Sequence, residues 1–295
     1  MATPLFTGCG TAIVTPFKNG EVDYPALDRL VEMQLEGGID AIIACGTTGE
    51  PATMTWEEHL SVVRRVVDVA NHRVPVIAGT GSNCTREAVE AAHAAKEFGA
   101  DAQLVVTPYY NKTSQEGLIA HYNALADAAT LPVIVYNVPG RTGLNISPAA
   151  LQAICRHPNV IAVKEASADV AQILDKVRLV GDDAVFYSGS DELNIPLMSC
   201  GFMGCISVLS NVMPAETSRM MHAALHNDFA TATAEQLRLL PLIRALFCET
   251  SPIPCKAALA AMGLMENELR LPLVPMQPAN EERMLGIMRE LGLIA

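Results

Sequence analysis

Short, nearly continuous apolar runs alternate with segments of helical period along most of the chain. The runs fall at residues 11–14, 41–44, 74–78, 102–106, 132–136, 160–164, 184–187 and 204–208. Such runs suit strands covered on both faces, as in parallel sheets, because neither face meets water. Between them, apolar positions recur at helical spacing over 26–35, 57–69, 87–98, 117–129 and 148–154, which predicts helices with one buried face. Two of these carry start signals: Thr55 precedes Glu57 and Glu58, and Ser147 precedes Pro148. Eight strand–helix units in succession predict a closed (β/α)8 TIM barrel rather than an open sheet. After about residue 210 the pattern is helical only, with breaks at Ser251-Pro252-Ile253-Pro254 and Leu271-Pro272. Asn227-Asp228 reads as a boundary. We therefore expect a (β/α)8 barrel over residues 1–227 and a C-terminal helical domain over 228–295.

Composition narrows the function. A chain of 295 residues holds one barrel of about 250 residues plus an appendage. Half the residues are apolar and 18% are charged, enough to bury a sizeable core. The formal net charge of −12 argues against nucleic acid as a partner, since phosphate binding needs clustered Lys and Arg. The first residues, Met1-Ala2-Thr3-Pro4-Leu5-Phe6, lack the charged and apolar regions of a signal peptide. No apolar run reaches the roughly 18–20 residues of a membrane helix. The eight cysteines are scattered and form no Cys-x-x-Cys pair. Reduced, buried thiols in a cytoplasmic protein are the expectation. The sequons at Asn83, Asn111 and Asn145 are then chance matches.

In an α/β barrel the active site lies at the C-terminal strand ends, and the residues there can be read off. Gly46-Thr47-Thr48-Gly49-Glu50 follows the second run, and Thr107-Pro108-Tyr109-Tyr110-Asn111 the fourth. The fifth leads into Tyr136-Asn137-Val138-Pro139-Gly140-Arg141-Thr142-Gly143. Lys164-Glu165 ends the sixth, Ser188-Gly189-Ser190-Asp191 follows the seventh, and the eighth contains Ile206.

Of six lysines, only Lys164 ends an apolar β run. Burial lowers an ammonium pKa, and a nucleophilic lysine needs that shift to present free amine at neutral pH. The competing reading is a structural lysine paired with a carboxylate. Glu165 is a poor partner, because neighbours on a strand face opposite ways. Gly46-Thr47-Thr48-Gly49 is either an ordinary βα turn or a backbone cradle for a small carboxylate. Tyr136 and Tyr110 either relay protons or pack the rim. Arg141 has no carboxylate near it in sequence, so its fork is either free for a substrate carboxylate or solvated. Gly79-Thr80-Gly81 lacks the third glycine of a dinucleotide fingerprint. His222 and His226 stand four apart and read as a solvated helix face rather than a metal site.

Taken together, these motifs resemble the dihydrodipicolinate synthase family of pyruvate-dependent class I aldolases, whose superfamily also contains N-acetylneuraminate lyase. The resemblance covers about residues 6–292. It adds Ala12-Ile13-Val14-Thr15-Pro16, Pro75-Val76-Ile77-Ala78-Gly79-Thr80-Gly81, Ser114-Gln115-Glu116-Gly117, Val163-Lys164-Glu165-Ala166 and Pro252-Ile253-Pro254-Cys255-Lys256 to the motifs above. The resemblance implies Lys164 as the Schiff-base lysine and Tyr136 as the central proton carrier. Thr47 and Tyr110 would complete the relay, with Tyr110 reaching into a neighbouring subunit of a homotetramer built from two dimers. Thr48, Gly189 and the Ile206 backbone would line the pyruvate site. Arg141 would bind the carboxylate of aspartate semialdehyde, and it separates this family from sialic acid lyase, which lacks arginine in that loop. Neither metal nor organic cofactor is implied. Lysine would act as an inhibitor at Pro51, Ala52, Trp56, His59, Asn83, Glu87 and Tyr109. Pro51 stands where many members have serine, Ser190 where some have aspartate, and Cys255 where valine is usual. The rival readings are an aldolase of the same fold that cleaves a sugar acid, and a silent barrel that binds a keto acid.

Overall fold

The structure, a computed structural model, describes residues 2–128 and 131–295. Eight strands among them form the barrel. They are β1 (Gly8–Ala12), β2 (Ala41–Ala44), β3 (Val76–Gly79), β4 (Ala102–Val106), β5 (Val133–Asn137), β6 (Val160–Glu165), β7 (Val185–Ser188) and β8 (Gly204–Ser207). All are parallel, each pairs with its neighbour in sequence, and β8 closes on β1 with Gly204 opposite Gly8.

A helix follows each strand. These are α1 (Tyr24–Glu36), α2 (Trp56–Ala70), α3 (Thr85–Glu97), α4 (Gln115–Ala128), α5 (Pro148–Cys155), α6 (Val170–Val180), α7 (Asn194–Met198) and α8 (Pro214–Leu225). Three more follow α8: α9 (Phe229–Leu246), α10 (Ile253–Ala261) and α11 (Pro278–Glu290), and a single helical turn, Pro139–Thr142, lies between β5 and α5. The predicted end of the fourth helix, residue 129, lies outside the described residues. The start signals are realised. Thr55 accepts from the Glu58 N–H while the Glu58 carboxylate accepts from the Thr55 N–H; such a cap contributes about 1 kcal/mol. Ser147 caps α5 in the same sense, accepting from the Ala150 N–H.

The largest departure from the predicted strands is the first. The run at 11–14 overlaps only the end of β1, which begins at Gly8. Glycines at 8 and 10 hide the strand from an apolar pattern, and packing explains the one at 8. Gly8 sits at φ +100, and a Cβ there would lie 2.2 Å from an Asp40 carboxylate oxygen. Three strands end one residue later than their apolar runs, on the polar residues Asn137, Glu165 and Ser188; those at 41–44 and 102–106 end where expected. Hairpin residues Phe17–Lys18 and Glu21–Val22 are too short to leave any periodic signal.

Strand alternation sorts side chains into two buried layers. Inside the barrel, Ile134, Tyr136, Ala162, Val185 and Tyr187 pack together, plugged at one end by Phe6, whose ring stacks on Tyr187 at 4.3 Å. Outside, Val133, Val135, Val160 and Val163 pack under the helices. The same outer layer continues without a break into Leu242, Leu246 and Met284 of the C-terminal helices. Full burial of such a side chain contributes about 1.5–3 kcal/mol. No helix among the described residues is long and apolar enough to cross a membrane.

Two ion pairs are buried outside the barrel wall. Lys176 meets Glu165 at 2.7 Å and Lys256 meets Glu50 at 2.6 Å, with all four side chains essentially inaccessible. Burial is therefore not peculiar to Lys164, contrary to what the apolar runs alone suggest. Lys176 lies on a helix and Lys256 in the extension, so neither could be read as a strand-end lysine.

Candidate active site

Lys164 and Tyr136 stand side by side. They are register partners on β6 and β5, and Lys164 also faces Tyr187 of β7. Even spacing from Ala162 and Ile134 turns both side chains into the barrel. Odd neighbours Glu165 and Asn137 turn outward, where the Asn137 amide donates to both Glu165 oxygens at 3.0 and 3.1 Å. This outer network, closed by Lys176, accounts for Glu165 and leaves Lys164 free of it. Among the described residues Lys164 forms no ion pair. Its Nζ lies 4.4 Å from the centre of the Tyr136 ring.

Only 6% of Lys164 is exposed. Burial pulls its ammonium down to about 8; the Asp191 charge opposes this and the Arg141 charge reinforces it. Burial pushes the Tyr136 phenol up, against the Arg141 charge and the Thr47 side chain, so Tyr136 keeps its proton at neutral pH. A cavity of about 250 Å³ opens above the amine. Thr47, Thr48, Tyr136, Arg141, Gly189 and Ile206 line it together with Lys164. Gly189 is needed for close approach: a Cβ there would fall 3.0 Å from Lys164 Cε and 2.9 Å from Ala166 Cβ.

Thr47 and Thr48 sit on a single 3-10 turn, Thr47–Gly49. It is fastened from below, because the Thr15 hydroxyl donates to the Gly49 carbonyl at 2.8 Å and Lys256 donates to the Thr15 carbonyl at 3.0 Å. Glu50, at φ +54, carries the chain out of the turn and anchors it to Lys256. Such a turn can present hydroxyls and N–H groups to a small anion.

Arg141 is not unpartnered, as its surroundings in sequence suggest. Its Nη2 donates to the Ser251 carbonyl at 3.0 Å. The partner is a backbone group 110 residues away, which no local motif could reveal. Phe247 and Ser251 from the extension also border the cavity, as does Asp191. Asp191 was visible as a rim residue in Ser188-Gly189-Ser190-Asp191, but nothing in the sequence told it apart from a capping group.

Tyr110 is not brought to the site within one chain. It is 90% exposed, at φ +66, on the loop after β4. A second cavity, of about 470 Å³, adjoins the first and shares Thr47, Tyr136, Arg141 and Ser251 with it. Pro51, Ala52, Trp56, His59, Glu87 and Tyr109 line this second space. Asn83 does not; its carbonyl accepts from the Asn111 amide at 2.9 Å. His59 lies 2.8 Å from the Gly79 carbonyl, and burial lowers its pKa.

The two helix histidines are not simply a solvated face. His222 Nε2 lies 3.0 Å from both oxygens of Asp40, which in turn accepts the Cys9 N–H. His226 bonds to the His222 carbonyl. No three His, Cys, Asp or Glu side chains among the described residues cluster as metal ligands.

Known proteins resemble the chain end to end. Residues 5–290 match the family model for the dihydrodipicolinate synthetase family. A 4-hydroxy-tetrahydrodipicolinate synthase from Geobacter metallireducens is 48% identical over 290 residues, 98% of this chain and 100% of the relative. The crystal structure of dihydrodipicolinate synthase from Thermotoga maritima is 43% identical, with a TM-score of 0.97 over 99% of this chain and 100% of that one. The enzyme from Cyanidioschyzon merolae, determined with lysine bound, is 40% identical, with a TM-score of 0.95 over 99% of this chain and 100% of that one. On these matches, the chain belongs to the dihydrodipicolinate synthetase family.

Proposed function

We propose that this chain is a lyase of the Schiff-base-forming aldolase type. It condenses pyruvate with L-aspartate 4-semialdehyde to give 4-hydroxy-tetrahydrodipicolinate, on the diaminopimelate route to lysine. The observation that carries the reading is Lys164: a buried lysine without an ion pair among the described residues, on a cavity lined by Tyr136 and Arg141.

The chemistry follows from that geometry. The free amine of Lys164 adds to the pyruvate ketone, forming a C–N bond, and the carbinolamine loses water to leave a protonated imine. Tyr136 stays protonated, so it can give a proton to the departing oxygen and recover one afterwards. Its exchange runs through Thr47. The cationic imine draws electrons from the methyl group, which loses a proton to give the enamine. Enamine carbon then attacks the aldehyde, forming the new C–C bond, and the aldehyde oxygen takes up a proton. The amine of the second substrate displaces Lys164 and closes the ring. Arg141, held by the Ser251 carbonyl, presents its remaining donors to the carboxylate of the semialdehyde. Thr48, Gly189 and the Ile206 backbone shape the pyruvate end.

The same reading assigns three further features. An exposed Tyr110 on a strained loop suits insertion into the site of a second copy, in a homotetramer built from two dimers. The larger cavity suits lysine as an inhibitor. There Glu87 would meet the α-ammonium and Trp56 offer a cation–π face, with Pro51, Ala52, His59 and Tyr109 completing the site; Asn83, outside the lining, would act only by holding Asn111. Residues 1–227 act as the catalytic barrel, and residues 228–295 as a helical domain that supplies Phe247 and Ser251 to its rim. All eight cysteines are free thiols, which suits the cytoplasm.

The experiment is a coupled assay. Pyruvate with aspartate semialdehyde should turn over, and sialic acid should not be cleaved. Turnover of a sugar acid with none of the semialdehyde would favour the rival aldolase, and binding of pyruvate without any turnover the silent barrel.

A further inference from the structure

The reaction leaves a full positive charge inside a barrel core. Protonated amine plus ketone gives protonated imine plus water, so the charge moves from ammonium to imine without leaving the cavity. If that imine loses its proton it ceases to be an electron sink. A buried cation of this kind needs a fixed counter-charge.

Two carboxylates border the lysine cavity, and they are unlike. Glu192 is half exposed and paired with Arg244 at 2.8 Å. Asp191 is buried, with 3% exposed, and has no cationic partner among the described residues. Its carboxylate is held by three donors: the Val208 and Leu209 N–H groups at 2.9 and 3.0 Å and the Asn194 amide at 3.1 Å. These fix it between the segments that follow β7 and β8, on the lining of the cavity that also holds Lys164. The other groups that bear on Lys164 are Tyr136 and Arg141 from the β5 side and the Cys205 thiol of β8. Glu165 is turned outward to Lys176. Arg141 opposes a cation, and Tyr136 and Cys205 are neutral while protonated.

We propose that Asp191 is the fixed counter-charge that keeps the imine on Lys164 protonated, acting as a positioning residue through its field rather than by contact with substrate. The inference rests on the Schiff-base reading above. Burial is the largest influence on the Lys164 ammonium, and the Asp191 charge is the largest one opposing it.

The hydrogen bonding allows the charge to be removed alone. The Asn194 side-chain oxygen, Oδ1, is buried without a hydrogen-bond partner among the described residues. In Asp191→Asn the new amide can donate to it once the Asn194 side chain turns over, while the new carbonyl still accepts from Val208 and Leu209. The test is borohydride trapping of pyruvate on the full-length enzyme and on Asp191→Asn across pH, with pyruvate affinity measured alongside. Trapping in the variant should persist, with its midpoint lowered by about one pH unit, as for loss of a nearby opposite charge. Pyruvate affinity should fall about tenfold at about pH 9, where the free amine must gain a proton to become the imine, and hold at about pH 6.5, where charge is conserved. Asp191→Ser, whose hydroxyl can still accept one N–H, should show the same shift if Asp191→Asn folds poorly. Superimposable profiles would overturn the proposal, and so would an equal loss of affinity at both pH values, which marks a structural role. Failure of the unmodified enzyme to trap pyruvate on Lys164 would instead overturn the Schiff-base reading, and this inference with it.

Discussion

Among the described residues three lysines are buried, and two regions treat them in opposite ways. Lys176 and Lys256, outside the barrel wall, each end on a carboxylate at 2.7 and 2.6 Å and are closed off on every side. Lys164, inside the wall, has no such partner and opens on a cavity. Burial lowers Lys256 as well, but Glu50 pushes back through both charge and hydrogen bond. The comparison teaches that burial alone does not make a nucleophile. What distinguishes Lys164 is burial without a saturating anion, together with space for a substrate. The paired lysines serve geometry: Lys256 fastens the turn that carries Thr47, and Lys176 secures the outward neighbours of Tyr136 and Lys164.

The contrast can be broken most sharply at Lys164 itself. Lys164→Met should lose turnover by roughly 10⁴-fold or more, as expected for a covalent nucleophile, in the coupled assay. Turnover retained in Lys164→Met with the fold intact would show that the wrong lysine has been chosen; Lys256→Met should lose only what the loosened Thr47 turn costs.

Next in size is a stability effect. Lys176→Met leaves Glu165 buried without its cation and should cost about 3–5 kcal/mol in denaturant unfolding. A loss under about 1 kcal/mol would mean that the pair is not the closed unit described.

Arg141→Ala should reduce kcat/KM for aspartate semialdehyde by about 2–4 kcal/mol in transition-state terms, as for a lost charged hydrogen-bond pair. Pyruvate trapping should survive. Because the Arg141 charge lowers the Lys164 ammonium, the trapping midpoint should move up slightly. Equal loss of trapping would place Arg141 in the pyruvate site or the fold.

The smallest effect has the opposite sign. Lys164 titrates near 8 in the folded chain against 10.5 as the ordinary value. Below about pH 8 both folded and unfolded chains hold the proton, and the folded state bears the whole cost of the buried ammonium. Between the two values the folded chain releases it first, so that cost is relieved as pH rises. Lys164→Met should therefore stabilise the protein at about pH 7 by up to about 3 kcal/mol, with the gain shrinking towards about pH 10. Urea midpoints at the two pH values check this; destabilisation at both would contradict the unpaired state of Lys164.

Much of this contrast was legible in the sequence. An apolar run ending in lysine marked Lys164, and strand alternation was enough to turn Glu165 away from it. The tyrosine, the threonine turn and the glycine at 189 all fell at strand ends, where a barrel places its chemistry. Long-range pairings were not legible. The partner of Arg141 is a carbonyl in the extension, and the partner of Lys256 lies 206 residues away. Neither leaves a periodic trace. The first strand was misplaced because Gly8 serves a close approach to Asp40 that only the folded chain creates. Tyr110 carries a relay role only through the family resemblance, since in a single chain it points to solvent.

The most direct test of the central claim is to trap pyruvate with borohydride and map the adduct by peptide mass. The account predicts a single modified residue, Lys164, with Lys176 and Lys256 untouched. An adduct on either paired lysine, or none on any lysine, would contradict it.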